Sequence, residues 1–269
     1  MDKSLKSERD IPMLRSFVDR LLSLAHEIFQ SPIRYNESDH LGFMSLCFVS
    51  AQIEHLTSIV TLVEAGQHKD AGLIARSMIE GMCLLVWAAR EPLSRPLLWR
   101  SYALVQDFQL LGEKEKAGEK VDPSQKSDIM KQLEIYGENF FTKKAEKAKR
   151  KGLPMPQDPY RENWSGKKIR EVCGEVQGVL LYDKIYREVS QWIHWTPRGL
   201  GSTIHREDDW VRYSHQSAKT AATALRSGFQ ALIESLTLLD NHLKLGFTNR
   251  LRELEDEYIK RLTAAGNVR

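Results

Sequence analysis

The sequence predicts an all-α protein: a multi-helix bundle of long antiparallel helices with an amphipathic helix at its C-terminal end. Two observations carry this prediction. Apolar residues recur at three- and four-residue spacing through most of the chain, and capping residues, prolines and glycines punctuate those runs where helices start and stop. No internal repeat and no stretch reading as paired strands competes with it.

The first helix starts at Asp10, a capping residue followed by Ile11-Pro12, and carries Leu14, Phe17, Val18, Leu21, Leu22, Ala25 and Ile28 on one face before Ser31-Pro32 ends it. A second helix runs from Ser38 to Ala65, where Gly66 closes it, and a third from Lys69 or Asp70 to Arg90. The short connection between these two makes them antiparallel neighbours. Ser94 caps a fourth helix reaching Gly112, and Asp122-Pro123 opens a long charged helix to Lys151. Gly152, Pro154, Pro156 and Pro159 then make residues 152–163 irregular. Ser165 caps a short helix to Val176, and another covers Tyr182 to Trp195, stopped by Thr196-Pro197-Arg198-Gly199. A long helix spans Glu207 to Leu245. Beyond Gly246, the residues Phe247, Leu251, Leu254, Tyr258 and Leu262 form the apolar stripe of the terminal helix, which folds back on the body or docks on a second copy. The expected divisions are an N-terminal helix (1–37), a bundle domain (38–245) and the terminal helix (246–269).

Hydrophobic residues make up 42% of the 269, enough to bury a substantial core. The longest stretch free of charge and histidine, Leu41 to Ile53, is too short to span a bilayer, and Met1 to Asp10 lacks a signal-like apolar run. The expectation is a cytoplasmic protein with no membrane partner. Cys47, Cys83 and Cys173 are widely spaced within helical patterns and read as buried thiols.

Charge is unevenly distributed. Between Lys143 and Arg170 there are ten basic residues against three acidic ones, a local excess of +7 that leaves about −4 for the rest of a chain with net charge +3. Lys143, Lys144, Lys147, Lys149, Arg150, Lys151, Lys167 and Lys168 are thus candidates for binding nucleic-acid phosphates, or form an ordinary solvated helix end and loop.

Two polar sets carry the functional reading. Arg76 and Glu80 stand one turn apart on an apolar helix face, where a shielded pair either holds a specific geometry or ties helices together. In the helix near position 190, Asp183, Arg187, Ser190 and His194 share one side, and Tyr182, Tyr186, Val189 and Ile193 line the adjacent apolar side. His194 can transfer a proton near neutral pH and Arg187 can hold a phosphate. Cleavage of a phosphodiester by its neighbouring ribose hydroxyl needs little more than such a pair. The bland alternative has Ser190 bonded to a helix carbonyl and His194 capping the helix terminus.

Other chemistries lack their motifs. There is no glycine-rich phosphate loop, no His-Glu-x-x-His pair and no Gly-x-Ser-x-Gly elbow, so neither a metal nor a cofactor is expected. His205, His215 and Glu207-Asp208-Asp209 could bind a cation, but an acidic run after a loop reads as an ordinary helix start.

The run Asn163-Trp164-Ser165-Gly166-Lys167-Lys168-Ile169-Arg170, with Tyr182, Tyr186, Ser190-x-x-x-His194 and Arg76-Ser77-x-x-Glu80, resembles an uncharacterised bacterial all-helical family of unknown function, over roughly Asp39 to Asn241. A broader likeness is to HEPN proteins, helical bundles that often act as dimeric, metal-independent ribonucleases in toxin and anti-phage systems. Their motif is an arginine and a histidine four to six residues apart on one helix, and six residues separate Arg187 from His194. Glu188 stands where those nucleases commonly carry a small polar residue. The resemblance implies an RNA-directed homo-oligomer, a dimer, with Arg187, Ser190 and His194 catalytic and Arg76 and Glu80 supporting them. The other class open to the chain is a non-catalytic module that recognises a small anion or a protein partner.

Overall fold

The computed structural model describes residues 3–30, 32–194, 196–201, 204–207, 210–214 and 216–265. Eleven α-helices are found among them: α1 (Lys3–Gln30), α2 (His40–Glu64), α3 (His68–Ala89), α4 (Arg95–Lys116), α5 (Pro123–Tyr136), α6 (Lys143–Arg150), α7 (Ile169–Glu175), α8 (Val179–Ile193), α9 (Pro197–Gly201), α10 (Ala218–Leu243) and α11 (Thr248–Ala264). The all-α expectation holds. The chain divides into two compact units, Met1–Trp87 with Ile169–Arg269, and Ala88–Lys168.

In the first unit α10 is the central strut. Its buried side combines large residues (Leu225, Phe229, Leu232, Leu236, Leu239) with small ones (Ala221, Ala224, Gly228, Ala231). The small residues let neighbours approach closely: a β-carbon on Gly228 would lie 2.7 Å from Leu56 Cδ1 of α2. Each fully buried leucine or phenylalanine contributes roughly 1.5–3 kcal/mol, so this face dominates the unit's stability. Asp39, the N-cap of α2, accepts from Gly42 N–H at 2.9 Å and from His242 Nε2 of α10 at 2.8 Å, fixing the antiparallel register of the two helices.

Helices α2 and α3 are antiparallel, as expected; Gln52 donates to the Met78 carbonyl at 2.8 Å. By length and composition both are long and apolar enough to cross a membrane, a test that the core helix of a soluble protein also passes. Helix α11 packs on its own chain. Tyr258 stacks on Phe229 with ring centroids 4.0 Å apart and meets Phe17 edge-on, while Leu251, Leu254 and Leu262 are also buried.

Several sequence expectations change. Helix α1 begins before Asp10 and holds Pro12 inside it, because Asp10 is drawn to Arg226 of α10 at 3.0 Å instead of capping. The expected helix from Pro123 to Lys151 is two helices, with a 3₁₀ turn at Gly137–Phe140 between α5 and α6; Phe140 is wholly buried there. The region from Glu207 is not the start of α10: Ile204–Glu207 (β1) and Trp210–Tyr213 (β2) form an antiparallel hairpin, and α10 starts after Ser217, which accepts from Thr220 N–H. Cys47 is exposed rather than buried, on the side of α2 turned away from the core.

The second unit packs Tyr102, Val105 and Leu111 of α4 with Ile129 and Leu133 of α5 and Phe140. Its proline-rich loop is pinned rather than loose. Thr142 N–H donates to Pro159 and Arg161 N–H to Phe140, both at 2.8 Å, and Tyr102 donates to the Arg161 carbonyl at 2.6 Å.

Candidate functional site

Helices α3 and α8 meet along an antiparallel seam whose polar residues are the ones the sequence singles out. Close approach is set by Gly72, where a β-carbon would lie 2.6 Å from Val189 Cγ1. One turn along α3, Arg76 Nε donates to Glu80 Oε1 at 2.8 Å, and its guanidinium carbon lies 4.4 Å from the centroid of the Tyr186 ring on α8. Arg76 and Glu80 are 21% and 28% exposed, so their pair is half-shielded and its charges are already satisfied. Tyr182 packs beside Tyr186, centroids 5.2 Å apart, and is almost fully buried; burial, reinforced by the Glu80 charge and opposed by Arg76, pushes its hydroxyl up to about 12.

At the far end of the seam, the first turn of α3 holds the last turn of α8. Lys69 Nζ lies 4.6 Å from the Trp192 ring centroid, and burial lowers its pKa. Trp192 Nε1 donates weakly to Asp70 at 3.4 Å. Sequence reasoning missed Lys69 and Asp70, because their partners lie more than a hundred residues away. The start of α8 is held separately: Arg170 of α7 makes a two-pronged bond to Asp183 of α8, at 2.9 and 2.8 Å.

The structure places the α8 residues differently from one another. Ser190 is buried, at 9% exposure, and its carbonyl accepts from His194 N–H at 3.1 Å. His194 is the C-cap of α8 and is exposed, so the terminal location of the bland reading and the solvent access of the catalytic one coincide. Arg187 lies on α8, but its side chain is outside the described residues, so the expected pairing of Arg187 with His194 on one side of the helix also falls there. Of the candidate cation ligands, His215, Asp208 and Asp209 are likewise outside them, as are the side chains of His205 and Glu207. Among the described residues no cluster of three or more metal-ligating side chains gathers.

The basic candidates belong to the second unit. Thr142 caps α6, accepting from Ala145 N–H, and Ala145 and Ala148 turn inward. Lys143, Lys144, Lys147, Lys149 and Arg150 are consequently all exposed, with Lys151 at the C-cap; Lys149 pairs with Glu138. Lys167 and Lys168 follow a tight turn in which Asn163 Oδ1 accepts from Gly166 N–H at 2.8 Å and Gly166 adopts φ +67°. Ser165 belongs to this turn and does not cap α7, which starts at Ile169. A separate cavity of about 400 Å³ between α1 and α11, lined by Arg20, Ser23, Arg250 and Glu257 among others, contains none of the expected site residues.

Comparison with curated proteins and with solved structures returned no match. The matched span of the family profile, residues 43–210, takes in the whole α3–α8 seam, the basic helix and the Asn163–Lys168 turn, and the chain belongs to that family, DUF5677, a family of unknown function.

Proposed function

We propose that this chain is a HEPN-like, RNA-directed protein that cleaves RNA through its own ribose hydroxyl, with His194 moving the proton and Arg187 holding the scissile phosphate. The observation that carries this reading is the placement of His194: an exposed imidazole at the last turn of α8, on a helix clamped at both ends, by Arg170 at its start and by Lys69 and Asp70 at its finish. Clamping matters because a proton-transfer group must hold its geometry to within a fraction of an ångström. Ser190, buried one turn earlier, and the Arg76–Glu80 pair support the helix rather than reach a substrate. The lysines of α6 supply sequence-independent attraction to the RNA backbone. Cytoplasmic location and self-association as a dimer accompany this proposal.

Attack by the ribose hydroxyl needs a base, an acid for the leaving oxygen and a cation for the pentavalent oxyanion, all available to imidazole and guanidinium. The direct test replaces His194 by Ala and compares cleavage of total RNA after circular dichroism and thermal melting show an unchanged fold. A loss of about 10²–10⁴-fold supports the assignment; equal cleavage removes it.

A second reading is favoured by the closed bonding of the seam. Arg76, Glu80 and Ser190 are satisfied or buried internally, as in a non-catalytic module that binds a small anion or a protein partner through its exposed end. Absence of RNA cleavage by the wild-type protein, with binding of a small anion or a protein partner, selects that module.

A further inference from the structure

Beneath the Arg76–Glu80 pair lie two groups that the proposed chemistry does not use. Cys83 of α3 and Cys173 of α7 are both fully buried neighbours: Cys83 Sγ lies against Gly178, whose N–H donates to the Cys173 carbonyl. Hydrogen bonding toward Cys173 and burial raise the Cys83 thiol well above its ordinary value, so in the closed structure Cys83 stays protonated and inert.

The turn between α7 and α8 packs over Cys83. Helix α7 has only seven residues and ends in a reversal where Gly178 N–H donates to the Cys173 carbonyl at 2.8 Å. Its left-handed position is filled by Gln177, at φ +62°, where glycine or asparagine is the unstrained choice. Gly178 then lies directly over Cys83: a β-carbon there would sit 2.7 Å from Sγ. A short helix closed by a strained turn is a segment that opens locally without global unfolding, and its opening uncovers both sulfurs together.

We infer that Cys83 and Cys173 form a redox-modification site, a dithiol that closes to an intramolecular disulfide tying α7 to α3 when the α7–α8 turn opens to a peroxide. The oxidant is hydrogen peroxide. One thiolate attacks it, displacing water and giving a sulfenic acid; the second thiol displaces the sulfenic oxygen as another water, forming the S–S bond. Two thiols are oxidised and one peroxide is reduced to two waters. The bond closes a long loop of chain and fixes the start of α8, so oxidation stiffens the helix that carries Arg187 and His194. The site stands independently of the ribonuclease reading.

Cys47 is exposed and reacts first with any reagent, so the test uses the full chain as Cys47→Ser, a surface change that leaves the core intact. The protein is treated with hydrogen peroxide, its remaining thiols are alkylated under denaturing conditions, and peptides are mapped by mass spectrometry before and after reduction. The expected result is loss of both alkylatable thiols, a monomeric product lighter by two hydrogen atoms, and one cross-linked peptide pair joining Cys83 to Cys173, released by reduction. Two alkylatable thiols after treatment would overturn the proposal, as would oxygen adducts on either cysteine without a cross-link. Cys173→Ser in the same background is expected to leave Cys83 as a sulfenic or higher acid instead.

Discussion

Gly72 of α3 and Val189 of α8 touch so closely that no side chain fits between them: an added β-carbon would stand 2.6 Å from Val189 Cγ1 and 3.3 Å from Thr220 Cγ2. This contact sets how near α3 and α8 approach, and through it the Arg76–Tyr186 stack and the Lys69–Trp192 contact.

Gly72→Ala is therefore expected to cost about 1–3 kcal/mol despite alanine's better helix propensity, because overpacking at a helix crossing exceeds the propensity gain. Urea unfolding measures it. Adding Val189→Ala should recover part of the loss; a neutral or stabilising Gly72→Ala would show that the seam is looser than described.

Removing one partner of the half-shielded pair, by Arg76→Met or Glu80→Gln, should cost about 1–2 kcal/mol, between the values for exposed and fully buried pairs. Arg76→Lys should restore little, since lysine keeps the charge but not the flat stack on Tyr186. A double-mutant cycle reads the coupling, and strictly additive effects would deny it.

The Asp39 carboxyl is raised by burial but lowered more by the Gly42 N–H and by His242, so its folded pKa lies below the usual carboxylate value. Its stabilisation is thus complete above the unfolded pKa and disappears as pH falls through the folded one. Unfolding measured from pH 6 downward should show wild type losing stability below about pH 4. Asp39→Asn, already weaker by about 1 kcal/mol from the altered cap, should show a flatter decline. Parallel curves would contradict this.

If the α6 lysines contact phosphates, the dependence of RNA affinity on salt should shrink by about 0.7 in log–log slope for each contacting lysine replaced in single-stranded RNA. Lys143→Ala, Lys144→Ala and Lys147→Ala together are the informative set, with fluorescence anisotropy as readout. His194→Ala should leave the slope unchanged.

Much of the fold was legible because one-face periodicity is a local property: the stripes Leu14–Ile28 and Ala221–Leu239 point inward as their spacing requires. Where a distant residue decides, local reading fails. Asp10 resembles a cap until Arg226, 216 positions away, claims it. Glu207-Asp208-Asp209 resembles the acidic first turn of a helix, yet Glu207 ends a four-residue strand paired through Trp210, too short a run for alternation to register. Phe140 breaks the charged helix because its ring is needed against Tyr102. The candidate site divides in the same way. Arg76 with Glu80 follows from helical spacing, whereas Tyr186 over Arg76, Lys69 over Trp192 and Cys173 against Cys83 each require the tertiary seam.

The most direct test of the central claim is the chemistry of the cut ends. Purified wild-type protein, incubated with RNA in excess chelator, should leave a cyclic phosphate on one product and a free hydroxyl on the other, while His194→Ala and Arg187→Ala, folded as wild type, leave the RNA intact. Cleavage that stops in chelator, linear phosphate ends, or undiminished cutting by the His194 variant would contradict the account.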